Sequence, residues 1–281
     1  MNTPKSFHSI VLKPLLVASA FLVCESVHAT LLYEDGFNYS TGNLGSSDVA
    51  PNGNAWGGGN SHITVTTGNL SYNNLQDPAG ANSLQVAWVG SGAGTVFNTY
   101  TAQTSGNIYY SFLLNCTVAP SAANYLTALN PGTATPNGST DALQVNVGVN
   151  AGGYQIGLRT PGASAKLATA VLSLNTTYLV VAEYSFAGSG TASLFINPVV
   201  GNPQPGSPDV TLAGNGAVTN LADLGFKAQT TASGTFLIDD TRVGTTWDDV
   251  VPVAAVPEPS TFALTGLGLA GLALRFRRSR G

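Results

Sequence analysis

The chain has 281 residues, of which 9% are charged and 43% are hydrophobic. Low charge combined with this much hydrophobicity excludes a disordered chain and allows a sizeable core. Residues 30–256 hold four basic and twelve acidic side chains, a net charge of −8, so nucleic acid is a poor partner.

The first 29 residues have the pattern of a secretion signal. Two lysines precede an apolar run at 15–23 that is too short to span a bilayer. We expect a signal helix here, cleavage between Ala29 and Thr30, and export. A lipoprotein signal acylated at Cys24 is the alternative, which Val23 disfavours because such signals prefer a small residue there.

Several segments that follow alternate apolar and polar residues with period two, which is the pattern of a strand with one buried face. The clearest runs from Ile108 to Val118. The others lie at 84–88, 143–149, 154–158, 178–184, 194–196 and 236–238. No segment has a convincing helical stripe. Residues 30–254 are therefore predicted to form one all-β domain, a two-sheet antiparallel β-sandwich or jelly roll.

Turn residues separate these strands. Glycine-rich turns at 151–153 and 187–190 predict two hairpins. The longer polar stretches at 40–61, 130–140 and 197–217 are expected to be loops, because no boundary isolates a second core.

Few side chains in this domain offer reactive chemistry. After cleavage, His62 is the only histidine, which excludes a multi-histidine metal centre, and we expect it to be a solvated loop residue. Cys116 is then the only cysteine, so no internal disulfide forms. Its strand position predicts a buried, unreactive thiol.

The carboxylates give little support to catalysis or to a metal. Glycosidases need two convergent acids, whereas Glu34 and Glu183, the only glutamates of the domain, lie in separate segments. We therefore predict that the protein is not an enzyme and needs no cofactor. Asp239 and Asp249 are candidate calcium ligands, although surface acids that maintain solubility explain the same residues.

Aromatic residues are the candidates for sugar contact. Trp56, in a glycine-rich loop, and Tyr109, on the polar side of its strand, are predicted platforms for sugar rings. Trp88 and Trp247 are predicted to belong to the core.

The C-terminal segment, 255–281, combines three features. Pro257-Glu258-Pro259 precedes a short apolar helix predicted at 262–274, and an arginine-rich tail follows. Thirteen residues reach only about 20 Å, so the helix is a weak permanent anchor. This order resembles the PEP-CTERM sorting signal of exosortase substrates. The resemblance implies an exosortase partner, a helix held transiently in the inner membrane, and delivery to the outer surface or matrix of a Gram-negative-type bacterium.

A second resemblance concerns the domain. Residues 32–39 and 238–247 are similar to the terminal strands of concanavalin A-like lectin/glucanase jelly rolls found in PEP-CTERM proteins. In that fold the first and last strands come together, so the resemblance implies that these two segments are neighbours.

The leading hypothesis is a non-enzymatic surface or matrix protein that binds exopolysaccharide or an envelope glycan. A polysaccharide-acting enzyme of the same fold and a purely structural coat or adhesion protein remain as alternatives.

Overall fold

The computed structural model describes residues 30–254 except 79, 91, 133–141 and 215–217. Its strands are β1 (Leu31–Asp35), β2 (Gly42–Gly45), β3 (Gly57–Thr67), β4 (Asn82–Val89), β5 (Gly94–Gln103), β6 (Asn107–Val118), β7 (Asn124–Asn130), β8 (Leu143–Asn150), β9 (Gly153–Arg159), β10 (Lys166–Leu167), β11 (Thr177–Ser185), β12 (Thr191–Ile196), β13 (Val210–Ala213), β14 (Leu221–Ala228) and β15 (Ser233–Gly244). One helical turn, α1 (Trp247–Val250), follows. The all-β prediction is confirmed.

The strands form two antiparallel sheets. The first sheet has the order β13-β12-β11-β6-β15-β4-β3-β2, and the second has the order β10-β9-β8-β7-β14-β5. The start of β3 pairs with β5 in the second sheet and its later part pairs with β4 in the first, so one strand joins both sheets. β1 pairs with β15, so the first and last strands are neighbours, as the jelly-roll resemblance implies.

The core fills the space between the sheets, because each strand turns its apolar alternates inward. Buried side chains of β6 include Tyr110, Phe112, Leu114 and Cys116. They face the buried apolar residues of the second sheet, among them Val145. The predicted inward phase of β6 is therefore confirmed from Ile108 to Cys116, whereas Val118 is exposed. Burial raises the pKa of the Cys116 thiol to about 12.

The predicted hairpins are confirmed, since Asn150 pairs with Gly153 and Ser185 pairs with Thr191. Two of the predicted loops are wrong in part, because β2 and the start of β3 lie in 40–61 and β13 lies in 197–217. His62 is not a loop residue but a half-buried member of β3. These short, polar or glycine-rich strands lack the apolar alternation on which the prediction depended.

The predicted signal helix and the predicted C-terminal helix lie outside the described residues. Within the part of the chain that is described, no helix has the length and apolar character needed to cross a membrane.

Candidate functional site

Trp56 is a core residue, which corrects its prediction as a sugar platform. Its side chain is 0% exposed and packs against the rings of Tyr33, Phe37 and Phe226 at centroid distances of 6.3, 6.1 and 6.0 Å. The indole Nε1 donates to the Tyr39 hydroxyl at 3.2 Å. The glycine-rich loop folds inward because burying an indole is more favourable than exposing it.

Tyr109 is also covered. It lies on the outer face of the first sheet, where its ring meets Trp247 edge to face at 6.2 Å. Its hydroxyl donates to Gln204 Oε1 at 3.0 Å. Tyr109 therefore offers no open platform, and the prediction that it does is wrong.

A second hydrophobic cluster explains this burial. The segment 247–253 and the loop at 70–76 lie over the outer face of the first sheet and form the cluster together with its strands. The cluster comprises Leu70, Leu75, Tyr109, Leu113, Leu179, Val181, Phe195, Trp247, Val250 and Val251. The polar side of β6 and β11 thus becomes a second core, and this part of the first sheet has no free face.

The candidate calcium ligands are engaged by backbone groups. Asp239 accepts from the N–H of Leu70 and of Asp240, each at 2.8 Å. Asp249 closes the capping box of α1, where its Oδ2 accepts from the backbone of Thr245 and Thr246 at 3.1 and 2.8 Å. Within the described residues no group of three or more His, Cys, Asp or Glu is placed to hold a metal ion.

Glu34 lies beside a second carboxylate, but an arginine separates them. Fully buried Arg242 pairs with Glu34 Oε1 at 2.8 Å through Nη2 and with Asp240 Oδ1 at 2.6 Å through Nη1. Asp240 is buried, so a substrate cannot reach it. Two carboxylates held on one guanidinium are poor candidates for a general acid and nucleophile pair.

Glu183 is tied into a different network. It accepts from Asn107 Nδ2 and Gln204 Nε2, both at 2.8 Å. It lies on β11, three strand spacings from Glu34 on β1, which is about 14 Å. The two glutamates therefore do not form one site.

A groove on the outer face of the second sheet is the strongest candidate site, and the sequence analysis missed it. It has a volume of about 450 Å³, within the range of ligand sites. Its floor includes Asn146 of β8 and Arg159 of β9, and its walls include Tyr125 of β7, the segment 163–165 and Leu167. These residues meet because Tyr125 pairs with Asn146 in register and Arg159 lies one strand further.

Asn146 has an unused donor in this groove. The residue is 7% exposed, and its Nδ2 has no hydrogen-bond partner among the described residues. A buried amide N–H without a hydrogen-bond partner destabilises the folded protein, because it has given up its hydrogen bonds to water. The groove therefore contains a polar group that a bound ligand would satisfy.

Arg159 is positioned beside it by its own turn. Its Nε donates to the Ala163 carbonyl at 3.1 Å, and the Ala163 N–H bonds the Thr160 carbonyl at 3.1 Å. Within the described part of the chain, the guanidinium has no carboxylate partner. Its two Nη groups are thus available to an incoming acceptor.

The same sheet face is unusually polar for a buried surface. Asn130, Gln144 and Asp223 are each 1% exposed and lie on the side opposite to the core-facing residues of their strands. Neither polar side-chain atom of Asn130 has a partner among the described residues, and 133–141, which follow soon after it, lie outside them.

A larger pocket, of about 710 Å³, lies beside the second cluster. Its lining includes Asn202, Gln204 and Trp247. The Trp247 Nε1 has no partner within the described residues, but Gln204 is already held by Tyr109 and Glu183. This pocket therefore also holds an unused donor, but within the described residues its lining contains the Asp248 carboxylate and no lysine or arginine.

Residues 255–278 match the PEP-CTERM protein-sorting motif, which confirms the sequence resemblance. The motif indicates export and anchoring at the surface of the cell envelope. No curated protein matches the chain.

Three solved structures illustrate the similarity of fold. The alginate lyase Aly36B is 14% identical, with 75% of this chain and 95% of that one covered and a TM-score of 0.48. The globular domain of T. cruzi calreticulin is 11% identical, with coverages of 79% and 91% and a TM-score of 0.49. Trypanosoma rangeli sialidase is 14% identical, with coverages of 73% and 30% and a TM-score of 0.42. Likeness at this level carries no information about ligand or activity.

Proposed function

We propose that the chain is a non-enzymatic protein of the cell surface or extracellular matrix whose β-sandwich binds polysaccharide in the groove floored by Asn146 and Arg159. The unpartnered Asn146 Nδ2 in an open groove of about 450 Å³ is the observation that carries the proposal. Sugars are recognised by such convergent amide, guanidinium and phenol groups, which match the hydroxyls of a pyranose ring.

The arrangement of acids favours binding over cleavage. Glu34 is neutralised by Arg242, Glu183 is held by two amides, and the groove contains no pair of accessible carboxylates among the described residues. Hydrolysis by two acids has no support in this geometry.

A binding screen against a polysaccharide panel, with release of reducing ends followed in parallel, tests the proposal. We expect saturable binding without release, weakened about tenfold by Asn146→Ala through loss of a ligand hydrogen bond. Asn202→Ala, in the larger pocket, is the matched control and should leave binding unchanged.

The other outcomes assign the alternatives. Loss of polysaccharide binding in Asn202→Ala but not in Asn146→Ala would place the binding site in the pocket beside Trp247. Release of reducing ends would establish an enzyme, whereas no binding to any polymer would favour a structural coat or adhesion protein.

A further inference from the structure

The basic residues of the domain are distributed unevenly, and this bears on the ligand of the proposed groove. Of the four basic residues between 30 and 254, Arg242 is neutralised in the interior by Glu34 and Asp240. Lys166 directs its ammonium to the Thr211 carbonyl at 3.1 Å, at the edge where the two sheets meet. Neither of these two cations faces the groove.

The other two cations lie on the outer face of the second sheet. Arg159 lines the groove, and Lys227 alternates with the inward-facing Phe226 and Ala228 on β14. Neither forms a salt bridge with any described residue. A domain whose net charge is −8 thus presents its two unneutralised cations on one face.

Carboxylates, in contrast, are scarce on this face among the described residues. Within the described residues, Asp223 is the only carboxylate on this outer face, and it is 1% exposed. It lies on β14, three strands from Arg159 on β9, which is about 14 Å. Arg159 is therefore not compensated by the sheet that carries it.

Two lining residues of the groove, Arg159 and Asn146, offer the same kind of group. The unused atoms of Arg159 and Asn146 are N–H donors, because a guanidinium has no acceptor and the unpartnered atom of Asn146 is Nδ2. A ligand that satisfies both must bring acceptors, and a planar guanidinium binds carboxylate or sulfate oxygens in pairs.

We infer that the polysaccharide bound in this groove is acidic and presents carboxylate or sulfate oxygens to Arg159. The inference depends on the proposed function and specifies its ligand class. A negatively charged domain repels polyanions in general, so the selectivity comes from the local field of this face.

Binding of the purified full chain to two matched pairs of polymers tests this inference. One pair is polygalacturonate and the same polymer with its carboxyl groups reduced, and the other is dextran sulfate and dextran. We expect at least one charged polymer to bind about tenfold more tightly than its neutral counterpart, and to weaken as salt is raised. Preference within the first pair identifies carboxylate as the recognised group, and preference within the second identifies sulfate.

Three variants test whether Arg159 in the groove causes the preference for charged polymers. Arg159→Gln should weaken binding of the charged polymer about tenfold, whereas Arg159→Lys, which keeps the charge, should weaken it less. Asn202→Asp makes the same change in net charge in the pocket beside Trp247, away from the groove, and should have no more than about a twofold effect. Circular dichroism of each variant checks that its fold is intact.

Two results would overturn the inference in different ways. Equal binding of charged and neutral polymers, lost in Asn146→Ala, would leave the proposed function standing and remove its acidic specificity. Absence of binding to all four polymers would contradict both the proposed function and the acidic specificity. An equal loss in Asn202→Asp and Arg159→Gln would reduce the effect to net charge and overturn the assignment to the groove.

Discussion

Arg242 on the last strand donates from Nε to Glu34 Oε1 on the first strand at 2.9 Å, so one hydrogen bond joins residues 208 positions apart. The same guanidinium donates to the Gln76 carbonyl at 2.6 Å and pairs with Asp240. It therefore connects both ends of the domain to the loop that covers the first sheet.

Replacement of Arg242 by Met should destabilise the domain strongly. At pH 8, where Asp240 is mostly ionised, the change leaves this buried carboxylate without its counter-ion, which typically costs about 3–5 kcal/mol. Urea unfolding measures the loss. Glu34→Gln is the matched control and should cost much less, because the Glu34 side chain is 32% exposed and water replaces part of its contribution. Equal losses would contradict this asymmetry.

The stability of the domain should fall as pH rises through neutrality. Burial raises the pKa of Asp239 and of Asp240 from 3.8 to about 7. The folded chain then holds protons that the unfolded chain has released, so stability is lost between about pH 4 and pH 7. We expect the free energy of unfolding to be lower at pH 8 than at pH 5 by on the order of 5 kcal/mol, about half of it from each group.

Asp239→Asn isolates one of these two groups. The variant removes one titration, so the difference between pH 5 and pH 8 should shrink even if stability at pH 5 also falls. An unchanged difference would show that Asp239 does not contribute to the pH dependence.

Trp56→Ala should affect stability rather than sugar binding. Removal of a fully buried indole that contacts three aromatic rings typically costs about 3–5 kcal/mol. Thermal unfolding measures the loss, and Trp56→Phe should cost less because it retains most of the contact. A variant that kept full stability but lost polysaccharide binding would restore Trp56 as a ligand contact.

Calcium should have little effect on the folded domain. Because backbone N–H groups occupy the oxygens of Asp239 and one oxygen of Asp249, we expect millimolar calcium to raise Tm by less than about 1 °C. A larger increase, reversed by a chelator, would reveal a calcium site.

Gly157 should be essential to the wall of the groove. A Cβ at this position would collide with the Lys166 carbonyl and the Leu167 Cα, so only glycine lets β10 lie this close over β9. Gly157→Ala should weaken polysaccharide binding and lower stability by about 1–3 kcal/mol. Gly152→Ala, where no atom lies within 4 Å of the added carbon, should leave the groove intact although its positive φ is strained.

The sequence predicted the strands whose two faces differ most clearly. β6 has an apolar residue at every second position from Ile108 to Val118. The glycine turns at 151–153 and 187–190 fix two hairpins. β5 and β14 were missed because glycine, threonine and charged residues interrupt their alternation. The covering of the first sheet by 247–253 was also missed, since its apolar residues are spread over several distant segments.

The groove was harder to predict than the fold. Asn146 and Arg159 both lie in predicted strands, and the amides Gln144 and Asn146 alternate visibly with Leu143 and Val145. That alternation suggests a polar face but does not reveal that Tyr125 or the turn at 160–163 closes over it. Strand order, which depends on long-range pairing, supplies that information.

The last described residue lies on the side of the sandwich opposite to the groove. Ala254 donates to the Asn74 carbonyl at 2.9 Å, so the last described residue lies on the cover over the outer face of the first sheet. The groove opens on the opposite side of the sandwich. We therefore expect a protein attached through this end to present the groove on the side of the sandwich that faces away from the attachment point.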